Sequence, residues 1–274
     1  MIGKLFRRFN DFKGKQRLSR FLIRKKLKST QDIIVDGKYH CHYLVPNIKE
    51  VIGFELYING IFEEDYIKLI LSKLKPSAVL IDLGANIGAI SIPICKLRND
   101  VNIIAVEASS IMFSYLKKNI ELNHIENCRV LNKAIWCNSE GEVPFYLPDE
   151  QYGKGMIDIK KSSGNFEVVK TISLDDLCKL YQLEKVDFIK VDIEGFEYFA
   201  FKGGAELLKK ADAPDILFEF IANAEKSAEQ LEPGDAQSIL MAYGYKLYKI
   251  EHSELTALEK PLVRDYAMIF ASKK

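Results

Sequence analysis

The chain has 274 residues, 48% hydrophobic and 28% charged, with a net charge of +1. That is the profile of an ordinary globular protein, long enough for one large domain or a domain with an appendage. No window nears 18 apolar residues and no apolar core follows the basic N-terminus, so neither a transmembrane helix nor a secretory signal is expected.

Residues 1–28 carry eleven bases against the single acid Asp11, a net +10 that leaves −9 for the remainder. Large apolar residues, among them Phe6, Phe9, Phe12, Phe21 and Leu22, interleave with these bases. The pattern predicts a basic amphipathic helix or pair of helices. Such a segment suits either peripheral contact with an anionic membrane or packing on its own domain with a solvated basic face. The packed reading is preferred. Nucleic acid is not expected as a partner, because the rest of the chain is acidic. Five scattered cysteines (Cys41, Cys95, Cys128, Cys137, Cys178) without a Cys-x-x-Cys pair argue for a reducing, cytoplasmic setting and against a zinc site.

Short β-like runs at 33–35, 39–45 and 54–58 are separated by Asp36-Gly37 and Pro46-Asn47, and Asn59-Gly60 follows the last. They predict a small antiparallel element. Residues 1–60 thus read as an N-terminal extension and 61–274 as the main domain. Helical spacing over 62–74 ends at Lys75-Pro76. A regular alternation follows: strand 79–83, helix 88–97, strand 101–106, helix 109–123 with Ser109 as N-cap, and strand 129–134. Residues 136–170 form a polar excursion with one or two hairpin strands. Then come helix 173–181, strand 186–191, helix 196–209, strand 215–220, helix 235–243 and strands 245–250 and 266–271. Apolar strands alternating with helices predict an α/β fold whose parallel sheet is covered on both faces. The last strand pairing is expected to be antiparallel.

The strongest motif is VLIDLGANIGAISIPI at 79–94. A buried strand ends at Asp82, turns through Gly84, Ala85, Asn86, Ile87 and Gly88, and enters a helix. Glycines there let the backbone approach a ligand at the carboxyl edge of the sheet. Glu107 ends the next strand, where a carboxylate can accept both hydroxyls of a ribose. The turn lacks the middle glycine of a dinucleotide site, and no Gly-Lys-Ser/Thr follows as in a P-loop. Asp82 would repel a pyrophosphate but suits a ligand with an ammonium and a sulfonium, as in S-adenosylmethionine.

These residues resemble the FkbM-type S-adenosylmethionine-dependent methyltransferases. The matching text is IDLGANIGAISIPI, AVEAS, LKKNIELNHIENCRVLNKAI, TISLDDL, VDFIKVDIEGFEYFAFKGGAELL and ILFEF, in the family's order. One departure is Ala108-Ser109, where the family has Glu-Pro. The resemblance implies a class I methyltransferase fold, Rossmann-like, with a seven-stranded, mostly parallel sheet. It implies methyl transfer to a hydroxyl of a sugar, glycoconjugate or other small molecule. It also implies that Asp82, Gly84, Ala85, Asn86 and Gly88 line the methionine end of the cofactor. Glu107, with Ala108 beside it, holds the ribose; Asn132 and Ala134 lie near the adenine; Asp192 borders the methyl.

The block FIKVDIEGFEY at 188–198 ends the fourth strand, next to the methyl in this fold. Lys190 and Asp192 share a strand face, and a lysine in an apolar strand needs a partner, which Asp192 supplies. That pairing makes Asp192 a poor base and an electrostatic or positioning group. Glu194, in the turn, is the freer candidate base. Glu197 reads as a helix-start acid, favoured by the helix dipole. Glu219 points to the same edge, and Asp175 and Asp176 read as caps of the helix from Ser173. Two routes stay open. In one, Glu194 or Asp192 takes the hydroxyl proton without metal. In the other, Asp192, Glu194 and Glu219 or Asp175 hold a magnesium-like ion. The metal-free route is preferred. N- or C-methylation and a non-catalytic cofactor-binding module are the alternatives, but no Asp/Asn-Pro-Pro-Tyr motif marks N-methylation.

Overall fold

A computed structural model of the chain describes residues 15–22, 32–146, 155–157, 166–228, 231–251 and 254–274. Helix α1 (Lys15–Leu22) is the described part of the basic segment, with Leu18, Phe21 and Leu22 exposed; the rest of the 1–28 expectation lies outside the described residues. No helix among the described residues is long and apolar enough to cross a membrane. Strands β1 (Ile33–Asp36) and β2 (His42–Val45) form the expected antiparallel hairpin. Helices α2 (Val51–Asn59) and α3 (Glu64–Lys73) lead into the alternating domain.

That domain runs β3 (Val79–Leu83), α4 (Ser91–Leu97), β4 (Asn102–Glu107), α5 (Ser110–Leu122) and β5 (Cys128–Asn132). The excursion contributes β6 (Ala134–Ile135), β7 (Glu142–Tyr146), β8 (Met156–Ile157) and β9 (Phe166–Ile172). The second half runs α6 (Leu174–Leu180), β10 (Phe188–Val191), α7 (Glu197–Lys202), α8 (Ala205–Leu208), β11 (Asp215–Ile221), α9 (Ala222–Ser227) and α10 (Asp235–Ala242). Strands β12 (Lys246–Glu251), β13 (Glu254–Leu258) and β14 (Tyr266–Ser272) close the chain.

The main sheet has the order β13-β12-β14-β11-β10-β3-β4-β5. Strands β11, β10, β3, β4 and β5 are parallel, and β14 inserts antiparallel between β11 and β12 as expected. The order reverses between β3 and β10, so a crevice opens at their carboxyl ends, where ligands bind in open α/β sheets. Because side chains alternate along a strand, the two faces carry separate cores. Ile81, Ile189 and Ile216 face one layer with Phe201 and Leu240. Leu80, Phe188 and Leu217 face the other with Ile67, Ile70 and Ile94.

Several sequence expectations are corrected. The sheet has eight strands, not seven, because β13 adds an antiparallel edge to β12. Residues 54–58 lie in helix α2, not a strand. Phe54, Leu56, Tyr57 and Ile58 are all buried, so no period shows, and Gly60 ends the helix left-handed at φ 75°. The expected strand 129–134 splits: β5 joins the main sheet, and β6 pairs with β9 in a four-stranded sheet, β6-β9-β7-β8. The expected helix 196–209 breaks at Gly203-Gly204, where a Cβ on Gly203 would strike the carbonyl oxygen of Trp136.

The hairpin is tied down by α5. Asn119 accepts from the Leu44 N–H at 2.6 Å and donates to the Leu44 and Ile87 carbonyls. Asn123 is the C-cap residue of α5, and its side chain also brackets the His42 backbone at 2.8 and 2.6 Å. Val35, Tyr43, Phe54 and Ile58 share one core with Ile87, Ile92 and Met112.

Candidate active site

Crowding dictates the turn after β3. Gly84 has φ 78°, and a Cβ there would strike the carbonyl oxygen of Asp192. Only glycine lets the ends of β3 and β10 approach so closely. Gly88, at φ 87°, lies where a Cβ would meet Ile92 at 2.8 Å and Leu116 at 3.0 Å. Asn86 is also left-handed, at φ 52°, which a short polar side chain tolerates, and its Oδ1 accepts from the Ile87 N–H. The Val106 carbonyl accepts the Gly84 and Ala85 N–H groups, each at 3.0 Å.

Glu107 stitches this turn to the end of β4. Its two carboxyl oxygens accept the Asn86 and Ser109 N–H groups, each at 2.8 Å. Burial pushes its carboxyl up to about 7, against the pull of those donors and of Lys190. Ser109 caps α5 as expected, accepting from the Met112 N–H at 3.2 Å.

Asp82 and Lys190 are register partners on β3 and β10. Lys190 Nζ donates to Asp192 Oδ2 at 3.2 Å and to the Gly84 carbonyl at 3.1 Å, and lies 3.5 Å from Asp82 Oδ1. The sequence pairs Lys190 with Asp192 alone; in the fold it is shared between two aspartates. Burial disfavours its charge, but Asp192, Asp82 and Glu63 together outweigh burial and hold it well above the ordinary lysine range. Ser91 Oγ donates to Asp82 Oδ2 at 2.6 Å. Asp82 is fully buried, and its Oδ1 has no hydrogen-bond partner among the described residues.

Past β10 the chain turns through Glu194 at φ 55° and Gly195 at φ 97°. Glu197 lies in the first turn of α7, but its role as a helix-start acid is incomplete. Its Oε1 turns back to accept the Ile193 and Gly195 N–H groups at 3.1 and 3.3 Å, clamping the turn that carries Asp192 and Glu194. Burial pushes Glu197 up to about 8. Oxygens of Asp192, Glu194 and Glu219 lie within 4.8 Å of one another. Burial, then the charges of Asp192, Glu194 and Glu197, push Glu219 up to about 9.

One pocket gathers Gly84, Ala85, Asn86, Glu107, Ala108, Ala134, Lys190, Asp192 and Glu194, closed by Phe62, Phe145 and Ile157. Asp82, Gly88 and Asn132 do not line it. Asp82 and Gly88 lie beneath the turn, and Asn132 Nδ2 donates to the Glu107 and Ala108 carbonyls, fixing that loop. Asp175 is elsewhere. Its carboxylate accepts the Glu206 and Leu207 N–H groups at 2.9 and 3.0 Å and so caps α8, not the helix it belongs to. The cap of that helix is Ser173, whose Oγ accepts the Asp176 N–H, while the Asp176 carboxylate accepts from Ser139 and Lys179.

Three groups escape a reading of the sequence. Glu63, the left-handed N-cap of α3 at φ 48°, lies within electrostatic reach of Asp192 and Lys190. Burial and Asp192 raise it to about 7, against the pull of Lys190. Tyr66 hydrogen-bonds Tyr266, and both phenols are raised by burial and by nearby Glu63 and Glu219. Glu63 sits in a Glu-Glu-Asp run that reads as ordinary helix-start acids, and Tyr266 arrives from the end of the chain with no local signal.

The methyltransferase FkbM domain matches residues 82–247, and the chain belongs to that family. It carries a methyltransferase domain on an α/β fold with a large, mostly parallel central sheet. A hexuronic acid methyltransferase, AglP of Haloferax volcanii, is 28% identical over 150 residues, covering 55% of this chain and 59% of that protein. The chain thus matches well under two thirds of that relative's length. Among solved structures, the METTL16 methyltransferase domain aligns at a TM-score of 0.46 with 15% identity, over 94% of this chain and 79% of that one. Precorrin-6y C5,15-methyltransferase of Geobacter metallireducens aligns at 0.44 with 15% identity, over 78% and 90%.

The pocket fits S-adenosylmethionine on its own chemistry. Gly84 puts no side chain at the crevice, Glu107 offers a carboxylate at the end of β4, and Asp82 lies beneath with one buried oxygen that only the Lys190 ion pair holds.

Proposed function

We propose that this protein methylates a hydroxyl group of a sugar or glycoconjugate. One observation carries the reading: Asp192, Glu194 and Glu219 converge at the mouth of a crevice whose floor is the Gly84 turn and whose far wall ends in Glu107. The relative named for hexuronic acid methylation supports a sugar acceptor.

When bound, S-adenosylmethionine supplies an electrophilic methyl on a sulfonium. Gly84, Ala85 and Asn86 would line its methionine end, and Asp82 sets the negative field beneath them. Glu107 accepts the ribose hydroxyls, and Ala134 with Lys133 borders the adenine. Lys190 holds Asp192 at the reaction edge. Displacement at a methyl is in-line, so holding the acceptor oxygen in position supplies much of the rate. Glu194 takes the hydroxyl proton. Glu219 stands beside it and, with its own proton held to about pH 9 by burial and the neighbouring acids, adds no further negative charge there.

A second reading is favoured by the same three oxygens. They would suit a hard divalent cation, which would lower the pKa of the acceptor hydroxyl. Methyl transfer to a panel of glycosides, with and without exhaustive chelation, separates the two. Activity that survives chelation supports proton transfer to Glu194. Activity lost on chelation and restored by magnesium supports the metal. Binding of S-adenosylhomocysteine without transfer to any hydroxyl overturns the sugar reading.

A further inference from the structure

The crevice does not end at the three acids. Beside them, at the carboxyl end of β11, lies a second cleft lined by Ile221, Asn223, Lys226, Arg264 and Tyr266, with Asp265 as the one acid in its lining. Tyr266 lines this cleft and pairs in register with Ile221, two residues past Glu219. The Tyr266 phenol hydrogen-bonds Tyr66 and lies within electrostatic reach of Glu219, Glu63 and Asp192. Tyr266 therefore reaches both the second cleft and the acidic edge.

Their charges are opposite. At the edge, Asp82, Asp192 and Glu194 outnumber Lys190, the one cation beside them among the described residues, while Glu63 and Glu219 hold their protons to about pH 7 and about pH 9. In the second cleft, neither Lys226 nor Arg264 makes an ion pair or hydrogen bond among the described residues, and both are exposed. A guanidinium presents a fixed fork of donors matched to carboxylate or phosphate, and it keeps its charge at any working pH. An acceptor carrying an anionic group would be repelled from the edge and drawn to this cleft.

We propose that the second cleft is an anion subsite for the acceptor. Lys226 and Arg264 hold the carboxylate or phosphate of an acidic sugar, while its hydroxyl passes Tyr266 to reach Asp192, Glu194 and Glu219. The proposal rests on the sugar-hydroxyl reading and adds to it the charge of the substrate and the place where that charge sits.

The test compares three acceptors that differ in one group: a neutral hexoside, the matching hexuronide and the matching hexose phosphate. Methyl transfer is measured for the wild type and for the Lys226→Ala/Arg264→Ala double variant, whose exposed positions leave the core intact. The wild type should prefer a charged acceptor at least about tenfold in kcat/KM, less so at high salt. The double variant should lose that preference through KM, with kcat and the neutral hexoside unchanged. Whichever charged acceptor leads identifies the anion as carboxylate or phosphate. A wild type indifferent to charge, or a double variant that keeps the preference, overturns the proposal. If no acceptor is methylated, the sugar-hydroxyl reading fails, and calorimetry on the S-adenosylhomocysteine complex decides the subsite. Binding of hexuronide or hexose phosphate that vanishes in the double variant supports it. Equal binding, or none by the wild type, overturns it.

Discussion

Lys190 is an expensive residue to bury, and the chain buries it where two aspartates and a carbonyl converge. Removing one member of a buried ion pair leaves the other charge uncompensated, which costs about 3–5 kcal/mol. Lys190→Met keeps most of the side-chain volume but strands Asp82, whose remaining partner is Ser91. The unfolding free energy of Lys190→Met, from urea titration, should fall by that amount at an unchanged slope. The double variant Lys190→Met/Asp82→Asn should recover part of the loss. A variant as stable as the wild type would show that the ion pair contributes nothing. Lys190 and Asp192 are legible in the sequence because strand alternation places residues two apart on one face. Asp82 as a co-partner is not, because it comes from a strand 108 residues earlier that only the register of β3 and β10 brings alongside.

At the scale of elements, α5 holds the N-terminal hairpin through Asn119 and Asn123, one helical turn apart, each reading one residue of β2. They satisfy backbone groups of an edge strand that would otherwise be left open. Asn119→Ala strands the Leu44 N–H and the Ile87 carbonyl, which costs about 1–3 kcal/mol. Amide exchange over 33–45 should speed up in this variant, while exchange in β3, β4 and β10 stays slow. Uniform acceleration would mean that the hairpin and sheet unfold as one unit. Helix α5 itself is legible from its period and its Ser109 cap. Helix α2 is not, because its partly open side carries the apolar Val51 and Ile52 beside Glu55 and Asn59, so the polar spacing is too sparse to mark a helix.

Among the described residues, five carboxyls ionise later in the folded chain than in an unfolded one: Glu63 and Glu107 at about 7, Glu197 at about 8, Glu219 at about 9, and Glu225, which burial also raises. The folded state therefore keeps protons that the unfolded state has released. The stability these groups confer is full below the ordinary carboxylate pKa and is lost as pH rises to the folded values. Each contributes a slope of about 1.4 kcal/mol per pH unit across its window. The unfolding free energy of the cofactor-free protein should fall from pH 5 to pH 8. In Glu197→Gln, whose amide oxygen can still accept the Ile193 and Gly195 N–H groups, the fall should be shallower by about one such slope. An identical pH profile would show that Glu197 is ionised throughout.

The alternating α/β plan, the glycine turn at 84–88 and the acids at the ends of β4 and β10 can all be read from the residues in order. Each of these is written in local terms: an apolar run, a turn residue, a periodic face. What those acids touch depends on the folded chain. Glu197 reaches back to clamp the turn, Asp175 caps a helix that begins thirty residues later, and Glu63 and Tyr266 join the acidic edge from both ends of the domain. Burial and charge are sums over neighbours from every part of the chain, so the proton affinities of the site exist only once the sheet has brought those neighbours together.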